Sequence, residues 1–288
     1  MQTLQIWISA VRPKTLIASI SPVAIAFCFA ISHGYKNYLL FLYTLLASIC
    51  IQIGTNLAND YFDGIRGTDT PNRKGPLRVT ASGMVSEMAM KVAISSAFIL
   101  ASILSIYLIW HGGILIALIA SLSVALGLLY TGGPYPIGYL GLSEIFVLLF
   151  FGAIATGSTY YLQSGILSYK AFLLGISPGC FSCAILTVNN LRDVEEDTKA
   201  QKKTLIVRFG SKFGKIEYTL CLLLGILIPV FFLVPHVFGF ASVAFLLPAI
   251  KLIQAVFSKS PDYLRLLPQT ALLFTLHTFV ICQGFILL

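Results

Sequence analysis

Two short groups of oxygen-bearing side chains stand where apolar chain gives way to polar chain. The first holds Asn59, Asp60 and Asp63, with Asp69 just beyond; the second holds Asn189, Asp193 and Asp197. Seven of the eleven acidic residues fall in these two stretches. On a helix, positions i, i+4 and i+8 drift by only about 40° per step, so Asn189, Asp193 and Asp197 form one stripe. Asn59 and Asp63 share the i, i+4 relation, and Asp60 and Asp63 the i, i+3 one. Each stripe offers oxygen atoms and neither has a His or Cys beside it. Such ligands suit a hard cation, and Mg²⁺ commonly takes one or two carboxylates together with water and phosphate oxygens. Two stripes facing each other would make a polynuclear Mg²⁺ site for a diphosphate.

The bland alternative is a pair of solvated helix ends. Two stripes that both open with Asn, and that are both followed by cations, argue against it. Arg73, Lys74 and Arg78 follow the first stripe; Lys199, Lys202, Lys203 and Arg208 follow the second. Cations beside metal-bound phosphate stabilise the charge of a departing diphosphate. Carboxylates at a membrane boundary also cost free energy unless they are paired or metal-bound, which marks them as functional candidates. The chemistry that fits is ionisation of an allylic diphosphate, with the resulting cation shielded from water until an electron-rich partner attacks. The 21 Phe and 13 Tyr could favour such a cation through their ring faces, although membrane helices carry many aromatics in any case.

The elements that must position these groups are membrane helices. Of 288 residues, 57% are apolar and 10% charged, and the mean hydropathy is +0.89. Soluble domains have roughly 25% charged residues, so an ordinary soluble enzyme is excluded. Apolar runs near 16–32, 38–57, 92–110, 114–131, 140–162, 171–189, 216–234, 237–256 and 268–287 predict an all-α, polytopic protein. The expectation is nine transmembrane helices in one bundle around a central cavity, forming a single domain over 1–288. The first run is too long, and lacks a convincing cleavage site, to read as a removed signal peptide. With a cytoplasmic N-terminus, Lys36 and Lys170 alone among the basic residues fall on the far side, the asymmetry expected of a correct span count. Both acidic stripes then lie at the cytoplasmic face. The net charge of +8 follows from topology and attraction to anionic lipid, so no nucleic-acid partner is implied. Cys180 and Cys183 form a C-x-x-C inside an apolar run, which reads as helix packing and not as a redox or zinc motif.

Asn59-Asp60-x-x-Asp63 and Asn189-x-x-x-Asp193-x-x-x-Asp197, at the ends of the second and sixth runs, resemble the UbiA superfamily of intramembrane prenyltransferases. Further stretches resemble its naphthoate-prenylating branch. They are Trp7 to Thr15 with Arg12-Pro13-Lys14, Gly75-Pro76-Leu77-Arg78, Tyr130-Thr-Gly-Gly-Pro-Tyr135-Pro136, Gly141-Leu-Ser-Glu144 and Thr204-Leu-Ile-Val-Arg208-Phe-Gly210. The likeness runs through residues 5–210.

This resemblance implies Mg²⁺-dependent transfer of a polyprenyl chain from polyprenyl diphosphate to 1,4-dihydroxy-2-naphthoate, with loss of CO₂ to give demethylmenaquinone. It implies a multi-pass protein of the cytoplasmic membrane, working within membrane lipid, with its active site open to the cytoplasm. Asn59, Asp60 and Asp63 would serve one metal; Asn189, Asp193 and Asp197 would serve the other. Arg78 with Lys202 or Lys203 would hold the diphosphate, and Arg12 and Lys14 either phosphate or the acceptor carboxylate. Tyr130 would lie near the reacting carbon, and Arg192 and Tyr135 are further substrate-binding candidates.

Two departures stand out. Position 67 is Gly where the superfamily often has an acid, leaving Asp69 to take that role, and Gln201 stands where Gly is common. Rival readings are a prenyltransferase of the same superfamily using another acceptor, such as 4-hydroxybenzoate, and an ion-coupled secondary transporter. Transporter acids tend to lie near the bilayer midplane in repeated halves. A CDP-alcohol phosphatidyltransferase fails because Asp60-Tyr-Phe-Asp63-Gly64 is not continued by that family's remaining positions.

Overall fold

The computed structural model describes residues 2–67 and 78–288. Asp69, Arg73, Lys74 and the Gly75–Leu77 motif lie outside the described residues. Among those described, regular structure is helical throughout. In chain order the helices are α1 (Gln2–Val11) and α2 (Ile17–Ser32), then α3 (Tyr38–Ile65) and α4 (Glu87–Leu129). They continue with α5 (Ser143–Ser164), α6 (Tyr169–Lys199), α7 (Leu205–Leu233), α8 (Val237–Val256) and α9 (Tyr263–Ile286). Seven of these are long and apolar enough to cross a membrane, and the α1–α2 pair, bent by 48°, makes an eighth by the same measure.

Short polar caps start the long helices. Asn37 Oδ1 accepts the amides of Leu39 and Leu40 at 3.1 Å each, and Ser86, Thr204 and Asp262 cap α4, α7 and α9 in the same way. The runs at 92–110 and 114–131, expected as two helices, are two helices joined at Gly113 within one stretch of 43 residues. At about 1.5 Å per residue its contour is twice a bilayer core. Gly113 breaks it, with φ 63° and ψ −153°, a conformation that a residue without Cβ adopts cheaply. The two arms then pack in mirrored register against α3: Phe98 shares one cluster with Val124, Leu128 and Leu57, and Leu108 shares another with Ile116 and Leu40.

α6 is the central helix, with 78% of its spanning stretch buried. Gly175 and Gly179, one turn apart on α6, let the α5 backbone come unusually close. A Cβ on Gly152 of α5 would meet Gly175 O at 2.6 Å and Gly179 Cα at 2.8 Å. Gly152 lies in a π-helical turn, Leu149–Ala153. Phe181, Ile185, Val188 and Leu191 on the other side of α6 join Tyr218, Leu222, Val256, Leu266 and Phe274 in the largest apolar cluster.

α3 and α6 both continue as helix past the apolar runs that predict them, to Ile65 and Lys199. Gln52, Asn56, Asp60 and Asp63 are the buried polar side chains of α3, while its N-terminal half exposes Leu39, Leu42 and Leu46. The helix end therefore carries its polar groups inward, as a membrane protein with an internal polar cavity requires.

Candidate active site

A cavity of about 190 Å³ opens between the ends of α3 and α6. Asn59 and Asp63 line it from α3, and Asn189, Asn190, Arg192, Asp193 and Asp197 from α6. Arg12, Arg78, Tyr130, Tyr139 and Lys202 close it from the connecting segments.

The two stripes converge. Lys202 Nζ lies 3.2 Å from Asp63 Oδ2 and 3.9 Å from Asp197 Oδ1, so one ammonium reaches a carboxylate on each helix. Asp63, 2% exposed, also accepts from the Tyr139 hydroxyl at 2.8 Å and from Arg78 Nη2 at 3.4 Å. Asp193 accepts from its neighbour Arg192 at two points, Nε at 2.5 Å and Nη2 at 2.8 Å, the bidentate geometry of a guanidinium on a carboxylate. Asn59 Oδ1 accepts from Thr131 Oγ1 at 2.7 Å.

Local backbone explains which lysine arrives. Gln201, where the family pattern has Gly, is left-handed at φ 56°. That turn carries Lys202 into the cavity and leaves Lys203 exposed, with Lys203 N donating to Tyr139 O at 2.9 Å. Burial pulls the Lys202 ammonium toward a lower pKa, but Asp63, Tyr139 and Asp197 outweigh it and hold the group above its ordinary value. Lys202 therefore carries full charge at neutral pH. Burial pushes Tyr130 up to about 12, so it faces the cavity as a neutral phenol.

Arg12 is the other non-glycine residue with left-handed backbone among those described, at φ 55°. Asn56 braces that turn, donating to Val11 O at 2.8 Å and to Thr15 Oγ1 at 3.2 Å. Strain of this kind persists where the surroundings over-determine it, and here it points Arg12 into the cavity.

Three expected groups lie elsewhere. The Asp60 carboxylate accepts the backbone amides of Val79 at 3.2 Å and Thr80 at 2.9 Å and does not line the cavity. It pins the turn that delivers Arg78. Lys14 and Tyr135 are exposed and do not line the cavity. Tyr139 was not among the residues the sequence singled out. Besides bonding Asp63, its ring takes Lys202 Nζ at 4.8 Å and Arg66 at 5.2 Å from the centroid. Arg66 in turn donates to the carbonyls of Thr131 and Gly133, tying the Tyr130–Pro136 segment to the end of α3.

Among the described residues, no group of three or more His, Cys, Asp or Glu side chains is arranged to hold a metal. The donor set nevertheless fits Mg²⁺. Asn59 with Asp63, and Asn189 with Asp193 and Asp197, present oxygen alone, and Mg²⁺ bound through substrate phosphate needs only one or two carboxylates. Four cavity cations, Arg12, Arg78, Arg192 and Lys202, outnumber the three carboxylates by one. If a metal diphosphate bound here, the carboxylates would be the groups to meet the metal, and the ammonium and guanidinium groups those to meet the phosphate.

A second chamber of about 100 Å³ shares Thr55, Tyr130, Val147 and Phe151 with the first. Its walls include Pro22, Ile51, Leu126, Ile137, Phe146 and Phe150. A charged head site thus adjoins an apolar one, and Tyr130 stands where they meet.

Known proteins agree with this architecture. The chain is 34% identical over 230 residues to the 1,4-dihydroxy-2-naphthoate octaprenyltransferase of Escherichia coli, covering 78% of this chain and 74% of that one. It is 34% identical over 212 residues to the Mycobacterium tuberculosis protein of the same name, covering 74% and 72%. In fold it is similar to a UbiA homolog from Archaeoglobus fulgidus solved bound to DMAPP and Mg²⁺. There the TM-score is 0.67 at 14% identity, over 96% of this chain and 99% of that one. Residues 19–280 match the UbiA prenyltransferase family, and the chain belongs to that family.

Proposed function

We propose that this protein transfers a polyprenyl chain from its diphosphate to 1,4-dihydroxy-2-naphthoate, with Mg²⁺ and with loss of the ring carboxylate as CO₂. The observation that carries the reading is the convergence of Asp63 and Asp197 on Lys202 beside an apolar chamber. A diphosphate with a long apolar tail matches that pair of compartments. The acceptor assignment rests on the relatives, which are named for that naphthoate.

Asn59 and Asp63 on one side, and Asn189, Asp193 and Asp197 on the other, would hold Mg²⁺. The chemistry a bound Mg²⁺ would supply there is Lewis-acid withdrawal of electron density from the diphosphate leaving group. Arg78 and Lys202 take the phosphate oxygens and stabilise the leaving diphosphate as the allylic C–O bond breaks. Tyr130, neutral at the junction of the chambers, turns its ring toward the reacting carbon and helps exclude water. The ring carbon bearing the carboxylate then bonds to the prenyl carbon, and the neighbouring hydroxyl loses its proton as its C–O becomes a ketone. The bond to CO₂ breaks next. Its electron pair returns to the ring and the oxygen regains a proton, giving demethylmenaquinone in its hydroquinone form.

The chain works as one domain over 1–288 in the cytoplasmic membrane, with the N-terminus and the cavity mouth on the cytoplasmic side. Counting each arm of α4 as a span gives nine, a count supported by the break at Gly113 and by the distribution of basic residues. The test is direct. Protein in detergent is given a polyprenyl diphosphate and either the dihydroxynaphthoate or 4-hydroxybenzoate, with and without Mg²⁺. Prenylated naphthoate and CO₂ in the Mg²⁺ arm alone is the expected result; turnover of 4-hydroxybenzoate only would overturn the acceptor.

A further inference from the structure

Glu144 is a carboxylate inside the bundle for which the reaction so far has no use. It stands in the first turn of α5 and is 8% exposed. Its Oε1 accepts from Asn190 Nδ2 at 3.2 Å, while its Oε2 is buried without a partner. Cys183 Sγ donates to its backbone carbonyl at 3.3 Å, fixing the start of α5 to α6. A buried acid within a membrane helix is costly, and a half-satisfied one more so. Packing alone does not account for it.

Asn190 is the link to the cavity, which it lines beside Ser143. A side-chain amide has a donor end and an acceptor end of nearly the same shape, and its neighbours decide which way it faces. A carboxylate only accepts. Glu144 therefore commits the amide NH₂ to itself and leaves the Asn190 carbonyl Oδ1 for the cavity. An acceptor in that place recognises a ligand that donates there, and rejects one that cannot.

We propose that Glu144 is a positioning residue whose bond to Asn190 presents Oδ1 as the acceptor for a hydroxyl of the aromatic substrate. The inference rests on the acceptor assignment of the preceding section and specifies which part of that molecule is read. A free hydroxyl beside the reacting carbon donates to Oδ1, which holds the ring in place and sets the bond that weakens as the proton leaves.

The experiment compares two competitive probes against the naphthoate, 1-hydroxy-2-naphthoate and its 1-methyl ether, in the full-length protein. One hydrogen bond corresponds to a preference of about five- to tenfold for the hydroxyl compound in the unmodified protein. Glu144→Ala and Asn190→Ala should each bring that ratio to about one, and the double variant should do no more than either. Glu144→Gln, whose amide can present either its acceptor or its donor end to Asn190, should restore the preference only in part. The KM for polyprenyl diphosphate should stay the same throughout, which a general loss of structure would not allow. A ratio unchanged in both alanine variants would overturn the inference while leaving the acceptor assignment intact. The absence of inhibition by either probe in the unmodified protein would refute the acceptor assignment itself. Asn190→Ala gives the same readout if Glu144→Ala does not fold.

Discussion

Lys202 offers the sharpest test of how the cavity works, because its ammonium competes with metal for the same carboxylates. It is 3.2 Å from Asp63 and 3.9 Å from Asp197, with 15% of its side chain exposed. The change to make is Lys202→Gln, which is one atom shorter, stays polar and loses the charge. A hydrogen bond to a charged group is worth roughly 1.5–3 kcal/mol. At 1.4 kcal/mol per tenfold, kcat/KM for the polyprenyl diphosphate should fall by about 10- to 150-fold. The Mg²⁺ requirement should move the other way. The partly buried ion pair is worth about 1 kcal/mol net of desolvation, so its loss should lower the half-saturating Mg²⁺ about fivefold. The assay is extraction of labelled prenylated product across a Mg²⁺ titration at fixed diphosphate, then the converse. A lysine that only stabilised the fold would weaken both. If half-saturating Mg²⁺ rises, or if the diphosphate KM is unmoved, the partner-exchange argument is wrong.

Four further outcomes follow from the geometry. Asp63→Asn and Asp193→Asn should each lower product formation at least a hundredfold with the protein still folded by thermal unfolding; a loss of less than tenfold in both would contradict the placement of metal at either stripe. Asp60→Ala should remove the two amide contacts of the 79–80 turn and lower stability by about 3 kcal/mol. It should raise the diphosphate KM through Arg78 but leave half-saturating Mg²⁺ near normal, because the carboxylate faces the backbone. Gln201→Gly should relieve left-handed strain of about 1–2 kcal/mol, partly offset by glycine's greater unfolded-state entropy. The net gain is about 0.5 kcal/mol, read as a rise of about 1–2 °C in Tm. Finally, Lys202 is held above its ordinary 10.5, so the charged form persists through that pH and is lost only beyond it. Its loss should therefore contribute no decline in the pH–rate profile below about 10.5, a point settled by comparing that profile with Lys202→Gln.

Much of this was legible in the chain. Apolar runs located the helices, and the i, i+4 spacing of Asn59 with Asp63 and of Asn189, Asp193 and Asp197 located two faces that do meet. What periodicity could not supply were partners distant in sequence. Asp60 and Asp63 look equivalent on paper, but the turn at 79–80 claims one of them. Lys202 and Lys203 are adjacent, and the choice between them depends on the left-handed backbone of Gln201. Tyr139 is an ordinary aromatic until the Ile137–Tyr139 turn brings it to Asp63. The runs on either side of His111-Gly112-Gly113 read as two helices, and the left-handed φ of Gly113 with the mirrored clusters on α3 shows how they fold back.

Counting divalent ions tests the central claim most directly. Protein loaded with an unreactive thiolodiphosphate analogue of the prenyl substrate can be titrated with Mn²⁺ and followed by electron paramagnetic resonance. The account predicts two Mn²⁺ per chain, magnetically coupled to each other and each to phosphorus, falling to one in Asp63→Asn and to one in Asp193→Asn. A single ion in the unmodified protein, or two that feel no common diphosphate, would contradict it.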